Sequence, residues 1–257
     1  MKLLPSLSLL LAVIAAGQTS AAGQTSAARA ADQRTLTAAD FARIADVTDP
    51  QLSPDGRWVA YTVSSSDLKK DAISDDLWMS EWQNGQSRRL TSTPEDESRP
   101  RWSADGNTLG FLSDRGSKNE TAQLWLLPIA GGEAERVTDL SGAVEDYAFA
   151  PDGKQVALIV SDEDPSAAAG EDQTAPPIVI DRYYFKEDET GYLGAQRKHL
   201  YLLDLATRAI TALTPGRYDE MLPSWSPDGR RIAFVSKRSG DPDRNDTFGV
   251  YVIEARA

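Results

Sequence analysis

The sequence of 257 residues contains no cysteine and only one histidine, and its 27 basic side chains are outnumbered by 39 acidic ones. Without cysteine the chain has no disulfide, no thiolate nucleophile and no lipid-modified cysteine anchor. One histidine without thiols leaves few ligands for zinc or copper, so we expect no metal and no cofactor. The net charge of −12 disfavours nucleic acids and anionic membranes, which bind to clustered positive charge.

The apolar stretch near the start of the chain, residues 7–16, is shorter than the about 20 residues that a membrane-spanning helix needs. It follows Lys2 and precedes small residues, which is the layout of a secretory signal peptide. We therefore assign residues 1–31 to a signal peptide and low-complexity spacer, with an uncleaved tail as the alternative. This assignment predicts a periplasmic or secreted protein without a membrane anchor. Thr37 and Asp40 then resemble a capping box, which predicts a short helix before the main domain.

Internal repetition is the strongest feature of the remaining sequence. A pattern close to apolar-Ser-Pro-Asp-Gly recurs four times, each time followed by an aliphatic, a small and a large apolar residue. Proline presets the turn, aspartate bonds nearby amides, and glycine accepts the left-handed conformation, so each copy predicts an antiparallel hairpin. The four copies are Leu52–Gly56, Trp102–Gly106, Phe149–Gly153 and Trp225–Gly229.

A second pair of strands follows each hairpin, and four-stranded units that repeat every 40 to 50 residues or so indicate the blades of a β-propeller. We predict an all-β fold, a partial β-propeller of about four blades, for residues 35–257. The fourth unit lacks its last strand, so we interpret the chain as part of a longer protein. The predicted blades are residues 47–91, 98–138, 145–214 with an insertion at 161–198, and 221–257.

Several segments together resemble one known family more closely than the turn motif alone does. They are Leu36–Phe41, Val47–Gly56, Trp58–Tyr61, Gly191–Gly194, Arg197–Tyr201 and Leu222–Gly229. With these segments the chain is similar to the N-terminal propeller of prolyl oligopeptidase-type (S9) serine peptidases, with the acylaminoacyl-peptidase and dipeptidyl-peptidase branch nearest. The resemblance covers approximately residues 35–257.

The resemblance implies a propeller of about seven blades that caps a C-terminal α/β-hydrolase domain with a Ser-Asp-His triad. The propeller would gate and position short peptides, which an exported dipeptidyl- or acylaminoacyl-peptidase-like enzyme hydrolyses. We expect the hydrolase domain to be missing here and the chain alone to be inactive. A nucleophile elbow needs Gly-x-Ser-x-Gly, and the nearest string, Gly85–Ser87, continues with two arginines.

Few residues are candidates for a site of their own. We expect the single histidine, His199, to begin a blade strand without acting as a base. Asp241, Asp243 and Asn245 fall short of a calcium loop because the glycine and the final glutamate are missing. In the insertion, Arg182, Tyr183 and Tyr184 are the predicted substrate-binding residues, since an arginine beside aromatics suits a peptide terminus or carboxylate. The alternative is an insertion strand that packs its tyrosines on the blade.

Two other interpretations stay open at this point. The turn motif also occurs in TolB-like propellers, so the chain could be a free-standing periplasmic module that binds a protein partner. A propeller-capped hydrolase of another type, such as an amidohydrolase, is the second alternative. Because propellers carry many activities, the fold alone does not decide between them. An incomplete propeller exposes a strand edge and an apolar blade face, so we expect the isolated chain to aggregate or be unstable.

Overall fold

The computed structural model describes residues 35–41, 43–68, 71–117, 121–163, 179–180, 182–187, 191–194, 196–238, 240–244 and 246–256. The predicted signal peptide and most of the acidic loop at 162–175 lie outside these residues. The chain divides into two units, Met1–Phe41 and Ala42–Ala257. Within the described ranges, no helix combines the length and apolar character that a membrane crossing requires.

The first unit contains the short helix α1, Ala38–Phe41. The backbone N–H and the hydroxyl of Thr37 both donate to Asp40 Oδ2, each at 2.8 Å. The aspartate thus reaches back to the residue before the helix, as the carboxylate of a capping box does. The predicted helix start is confirmed.

The second unit consists of antiparallel sheets, and three of them have four strands in sequence order or its reverse. Blade 1 comprises β1 (Asp46–Leu52), β2 (Trp58–Asp67), β3 (Ala72–Glu81) and β4 (Ser87–Arg89). Blade 2 comprises β5 (Glu97–Trp102), β6 (Thr108–Ser113), β7 (Gln123–Pro128) and β8 (Glu135–Arg136). The next blade includes an insertion between its second and third strands.

Blade 3 comprises β9 (Val144–Phe149), β10 (Gln155–Ser161), β13 (Lys198–Asp204) and β14 (Ile210–Ala212). Its insertion forms a small hairpin of β11 (Lys186–Glu187) and β12 (Gly191–Tyr192). Blade 4 has three strands among the described residues, β15 (Glu220–Trp225), β16 (Arg231–Ser236) and β17 (Gly249–Glu254). The predicted propeller-like architecture of four-stranded antiparallel units is therefore confirmed, and the described part of the insertion contains a hairpin.

The four repeated turns have one common geometry. Their glycines Gly56, Gly106, Gly153 and Gly229 have φ values of 67° to 70°. Each glycine N–H donates to the carbonyl three residues earlier at 2.9 Å. In three copies the serine hydroxyl donates to the aspartate two residues on, at 2.5–2.6 Å. The third copy has Ala150 in place of that serine.

Neighbouring blades pack through one alternating set of apolar positions. Side chains of the third strand, such as Leu77 and Leu200, are fully buried. They pack against the second strand of the following blade: Leu77 against Phe111, and Leu200 against Phe234. The hydrophobic core therefore lies between the sheets and runs from blade 1 to blade 4.

The first strand of three blades contains a bulge followed by proline. Asp49, Arg99 and Leu222 have φ values of 50° to 55°, and each precedes a proline. The pairing with the second strand shifts at the same points. Because proline has no N–H, the inner edge of these sheets loses one donor at each bulge. This arrangement protects an edge strand against further pairing.

Candidate functional site

The loops that join the second and third strands of each blade lie at the end opposite the repeated turns, because successive strands are antiparallel. We call this side of the blades the loop side. It carries the insertion of blade 3 and, in blade 4, the connection between β16 and β17. The latter contains a short 3₁₀ turn, Pro242–Arg244.

Arg182 of the insertion forms a two-point ion pair with Asp243 of this turn. Its Nε donates to Asp243 Oδ2 at 3.0 Å, and its Nη2 donates to Asp243 Oδ1 at 2.6 Å. A third donor, Nη1, bonds the carbonyl of Gly194 at 3.2 Å. Both charged side chains are only 13% exposed. A bidentate, largely buried pair of this kind restricts orientation as well as distance, so it fastens the insertion to blade 4.

Aromatic side chains project to solvent beside this ion pair. Tyr183 is 71% exposed and Tyr184 is 48% exposed, while the guanidinium of Arg244 lies 5.5 Å from the centre of the Tyr183 ring. In the hairpin, Phe185 stacks on Tyr192 with ring centres 6.5 Å apart, and both remain more than one-third exposed. Several exposed apolar rings next to a fixed ion pair are typical of a binding surface.

The three predicted substrate-binding residues are adjacent, but they differ in whether their side chains are free to contact a ligand. The guanidinium of Arg182 is occupied by Asp243 and Gly194, whereas the rings of Tyr183 and Tyr184 are open. The assignment of these residues to substrate binding stays a prediction. Sequence reasoning missed Asp243 as the partner, because the two residues are 61 positions apart.

His199 lies at the start of β13 and is buried between two carboxylates. Its Nδ1 is 3.3 Å from Glu220 Oε2, and its Nε2 is 3.6 Å from Asp162 Oδ1. Glu220 also accepts a hydrogen bond from Arg238 at 2.6 Å and one from Thr214 at 3.0 Å. The three side chains that contact Glu220 come from blades 3 and 4, so this cluster links the two blades on the loop side. The geometry assigns His199 to this link, at the strand position that the sequence predicts.

The junction of blades 1 and 2 contains a related cluster at equivalent positions. Glu97 and Arg115 occupy the positions of Glu220 and Arg238, and Thr93 donates to one oxygen of Glu97. The second oxygen of Glu97 and the Nε of Arg115 are buried without a hydrogen-bond partner. Burial raises the pKa of Glu97, although hydrogen bonds from Thr93 and Thr91 and the attraction of Arg115 act in the opposite direction. The Arg115 guanidinium instead stacks on Trp125, 3.8 Å from the ring centre.

A cavity of about 530 Å³ follows the first strands of the four blades. Arg101 lines this cavity, and its Nη1 forms an ion pair with Asp49 Oδ2 of the preceding blade at 2.6 Å. The cavity lining combines aromatic rings with the charged side chains of Arg101 and Asp146. Its lining includes Arg101, Trp102, Tyr147, Phe149, Leu222 and Pro223.

The acidic loop that resembles a calcium site is engaged in protein contacts. Asp243 pairs with Arg182, and Asp241 lies 3.4 Å from Arg244; Asn245 is outside the described residues. In the part of the chain that the structure describes, no three acidic, histidine or cysteine side chains are grouped to hold a metal ion.

Known proteins with similar sequences include peptidases. The chain is 30% identical over 225 residues to the uncharacterized peptidase YuxL of Bacillus subtilis, a match that covers 86% of this chain and 34% of YuxL. It is 27% identical over 220 residues to dipeptidyl-peptidase 5 of Porphyromonas gingivalis, covering 79% of this chain and 31% of that protein. The Tol-Pal system protein TolB of Francisella tularensis is 27% identical over 154 residues, covering 60% of this chain and 28% of TolB. No protein-family profile matches the chain.

Solved structures share the fold at lower identity. An acylaminoacyl peptidase of Pyrococcus horikoshii superposes with a TM-score of 0.64 at 16% identity, over 84% of this chain and 32% of that one. The β-propeller domain of the trilobed protease of Pyrococcus furiosus gives 0.53 at 16% identity, over 83% and 56% of the two chains. The chain spans about a third of the length of the two curated peptidases it matches.

Proposed function

This chain matches the propeller portion of prolyl oligopeptidase-type (S9) serine peptidases, and we propose that it gates and positions short peptides for the hydrolase domain of such an enzyme. The observation that carries the proposal is the similarity to YuxL over 225 residues. The peptidase would act in the periplasm or outside the cell, as the predicted signal peptide indicates. A hydrolase domain with a serine nucleophile, a histidine base and an oxyanion hole would catalyse the cleavage of the peptide bond.

The geometry of the loop side supports the positioning role. The pair of Arg182 and Asp243 holds the insertion against blade 4, and this fixes the rings of Tyr183 and Tyr184 beside the loops of two blades. A rigid support lowers the entropy cost of binding, because the rings are already placed. In this proposal the tyrosines contact the peptide, and Arg182 positions them.

The test uses the polypeptide that carries this sequence, purified from its native source. A fluorophosphonate probe reports a reactive serine, and chromogenic dipeptidyl and acylaminoacyl substrates report the reaction. We expect labelling and hydrolysis. Tyr183→Ala and Tyr184→Ala should each raise KM about 3- to 10-fold with kcat retained, because a lost ring contact of about 1 kcal/mol changes affinity about fivefold.

Trp82→Ala is the matched control, since Trp82 is 70% exposed and lies in a turn of blade 1 at the opposite end of the sheet. It should leave KM unchanged. Asp243→Asn should raise KM as the tyrosine variants do, because it releases the insertion without touching the peptide. Equal effects of all four variants, or none, would contradict the positioning role.

A TolB-like module that binds a protein partner is the second candidate, and the similarity to TolB favours it. The same experiment separates the two functions. A native polypeptide that is neither labelled nor active, and that is recovered with a bound protein, would favour the binding module. Labelling of the polypeptide would exclude it.

A further inference from the structure

Two of the blade junctions contain an arginine above a pair of stacked aromatic rings. The rings come from the second and third strands of one blade, and the arginine follows the phenylalanine of the pair by four positions. A glutamate of the first strand, opposite a serine of the second, completes each set. The sets are Phe111, Trp125, Arg115 and Glu97 in blade 2, and Phe234, Tyr251, Arg238 and Glu220 in blade 4.

The two arginines take different positions within these equivalent sets. Arg238 Nη2 donates to Glu220 Oε1 at 2.6 Å, and its guanidinium carbon lies 5.3 Å from the centres of both rings of its pair. The guanidinium carbon of Arg115 also lies 5.3 Å from the phenylalanine ring, but it lies only 3.8 Å from the centre of Trp125. Arg115 therefore stacks on the third-strand ring, whereas Arg238 is held by its glutamate.

The position of Arg115 leaves two complementary groups without partners. Glu97 is 0% exposed, and its Oε2 and the Nε of Arg115 are both buried without a hydrogen bond. An ionised carboxylate in this condition costs much more free energy than a neutral carboxyl group. The stacked arrangement therefore fits a neutral Glu97, in agreement with the burial that raises the pKa of this group.

The charged neighbours of Glu97 include a second carboxylate. In blade 3 the equivalent position belongs to His199, whose Nδ1 lies 3.3 Å from Glu220 Oε2, but in blade 1 it belongs to Asp76. Asp76 opposes the ionisation of Glu97, although Arg89 compensates part of its charge at 2.5 Å. The charged groups around Glu97 and Arg115 come from both blades and are Asp75, Asp76, Arg89, Glu95, Asp96 and Asp114.

We propose that Glu97 and Arg115 form a pH-sensitive switch at the junction of blades 1 and 2. When Glu97 is neutral, the guanidinium of Arg115 stacks on Trp125. When Glu97 loses its proton to solvent, the guanidinium moves to the carboxylate and donates to its free oxygen, as Arg238 does to Glu220. The arginine keeps its charge throughout, so only the carboxyl group titrates. Both blades of this junction belong to the chain, so the switch is independent of what covers the outer blades.

Crystal structures of the polypeptide that carries this sequence, at about pH 5 and about pH 9, test the switch. We expect Arg115 on Trp125 in acid. At the higher pH we expect it bonded to Glu97, at a distance close to the 2.6 Å of the equivalent pair in blade 4. That equivalent pair should stay bonded at both pH values and is the internal control. Glu97→Gln has no titratable group there, so Arg115 should stay on Trp125 at both pH values.

A double-mutant cycle measures the same change in solution. Urea unfolding of Glu97→Gln, Arg115→Met and the double variant gives the coupling energy of the pair at both pH values. It should be larger at about pH 9 than at about pH 5, because the ionised carboxylate alone attracts the arginine. The matched cycle of Glu220→Gln and Arg238→Met should show coupling at both pH values.

Three results would overturn the proposal. One is an Arg115 that stays on Trp125 in both crystals of the unsubstituted protein, which need no variant to fold. Another is a movement of Arg115 that persists in Glu97→Gln, because a different group, such as Asp76, would then be the one that titrates. The third is an equal loss of the Arg238–Glu220 bond in acid, which would indicate a general effect of acid on the blade junctions.

Discussion

At the scale of single residues, the clearest energetic feature is the Ser–Asp pair of the repeated turn. Ser103 donates to Asp105 Oδ1 at 2.6 Å and accepts from the N–H of Thr108 at 3.0 Å. The serine bond holds the pKa of Asp105 below its usual value of 3.8, with the N–H of Asn107 as the second cause. The carboxylate therefore favours the folded turn when it is charged.

Exchanging serine and alanine between two turns tests this pair. Ser103→Ala should lower the free energy of unfolding by about 1 kcal/mol, because two hydrogen bonds are lost. Ala150→Ser should raise it by up to about 1 kcal/mol, since Ala150 occupies the serine position of the third turn. Urea unfolding at pH 7 measures both changes. A loss of stability on Ala150→Ser would contradict the equivalence of the turns.

The effect of Ser103→Ala depends on pH in a defined direction. A carboxyl group with a lowered folded pKa stabilises the protein above its unfolded pKa, and this contribution is lost as the pH falls through the folded value. The difference between the two proteins should therefore shrink below about pH 3.8, the usual value for aspartate. A difference that stays constant in acid would mean that the charge of Asp105 has no part in it.

At the scale of elements, each second strand carries a small residue at one position, and in blades 1 to 3 this residue faces the following blade. The four residues are Ala60, Gly110, Ala157 and Ala233. Gly110 has no room for a side chain, because a Cβ there would lie 2.8 Å from the Tyr147 hydroxyl and 2.9 Å from its Cε2. Tyr147 is fixed in turn: its hydroxyl donates to the Arg99 carbonyl at 2.8 Å, and burial raises its pKa well above 10.0.

Gly110→Ala should therefore destabilise the protein by about 1 to 3 kcal/mol through overpacking. Tyr147→Phe removes the nearest clashing atom, so the double variant should lose less stability than the sum of the two single variants. A double-mutant cycle in urea measures this coupling, which we expect to exceed about 0.5 kcal/mol. Additive losses would show that the Tyr147 hydroxyl does not limit the approach.

At the scale of the main domain, successive blades are joined through their first strands by side chains. The indole N–H of Trp102 donates to the carbonyl of Gln51, and that of Trp225 donates to the carbonyl of Ala148, both at 2.9 Å. These bonds cross the junctions of blades 1 and 2 and of blades 3 and 4. Each bond supplies a hydrogen-bond donor to a carbonyl group of a first strand and holds two neighbouring blades at a fixed distance.

Trp102→Phe and Trp225→Phe each remove one of these bonds while keeping an aromatic ring. Each should lower the free energy of unfolding by about 1 kcal/mol. The two losses should add, because the sites lie at different junctions and share no partner. Thermal and urea unfolding of the two single variants and the double variant provide the test. A double variant no less stable than either single one would contradict independent junctions.

The repeated turn, the strand alternation and the short helix followed from the sequence because their causes are local. Proline, aspartate and glycine act within four residues, and alternation of apolar side chains decides which face of a strand is buried. The family resemblance rests on the same local segments. For this reason the blade pattern was predictable although the partners of its side chains were not.

Contacts between distant residues were decided by the tertiary structure alone. The role of Arg182 in substrate binding stays a prediction, and the fold brings Asp243 to it from 61 residues away, a contact that the sequence did not reveal. Glu97 and Glu220 occupy equivalent positions, yet only Glu220 has an arginine hydrogen-bonded to it. The sequence by itself determined the blades and their order, because turn and strand preferences are local. The packing of the blades decided which charges are paired, because the partner of a charged side chain depends on what the neighbouring blade provides.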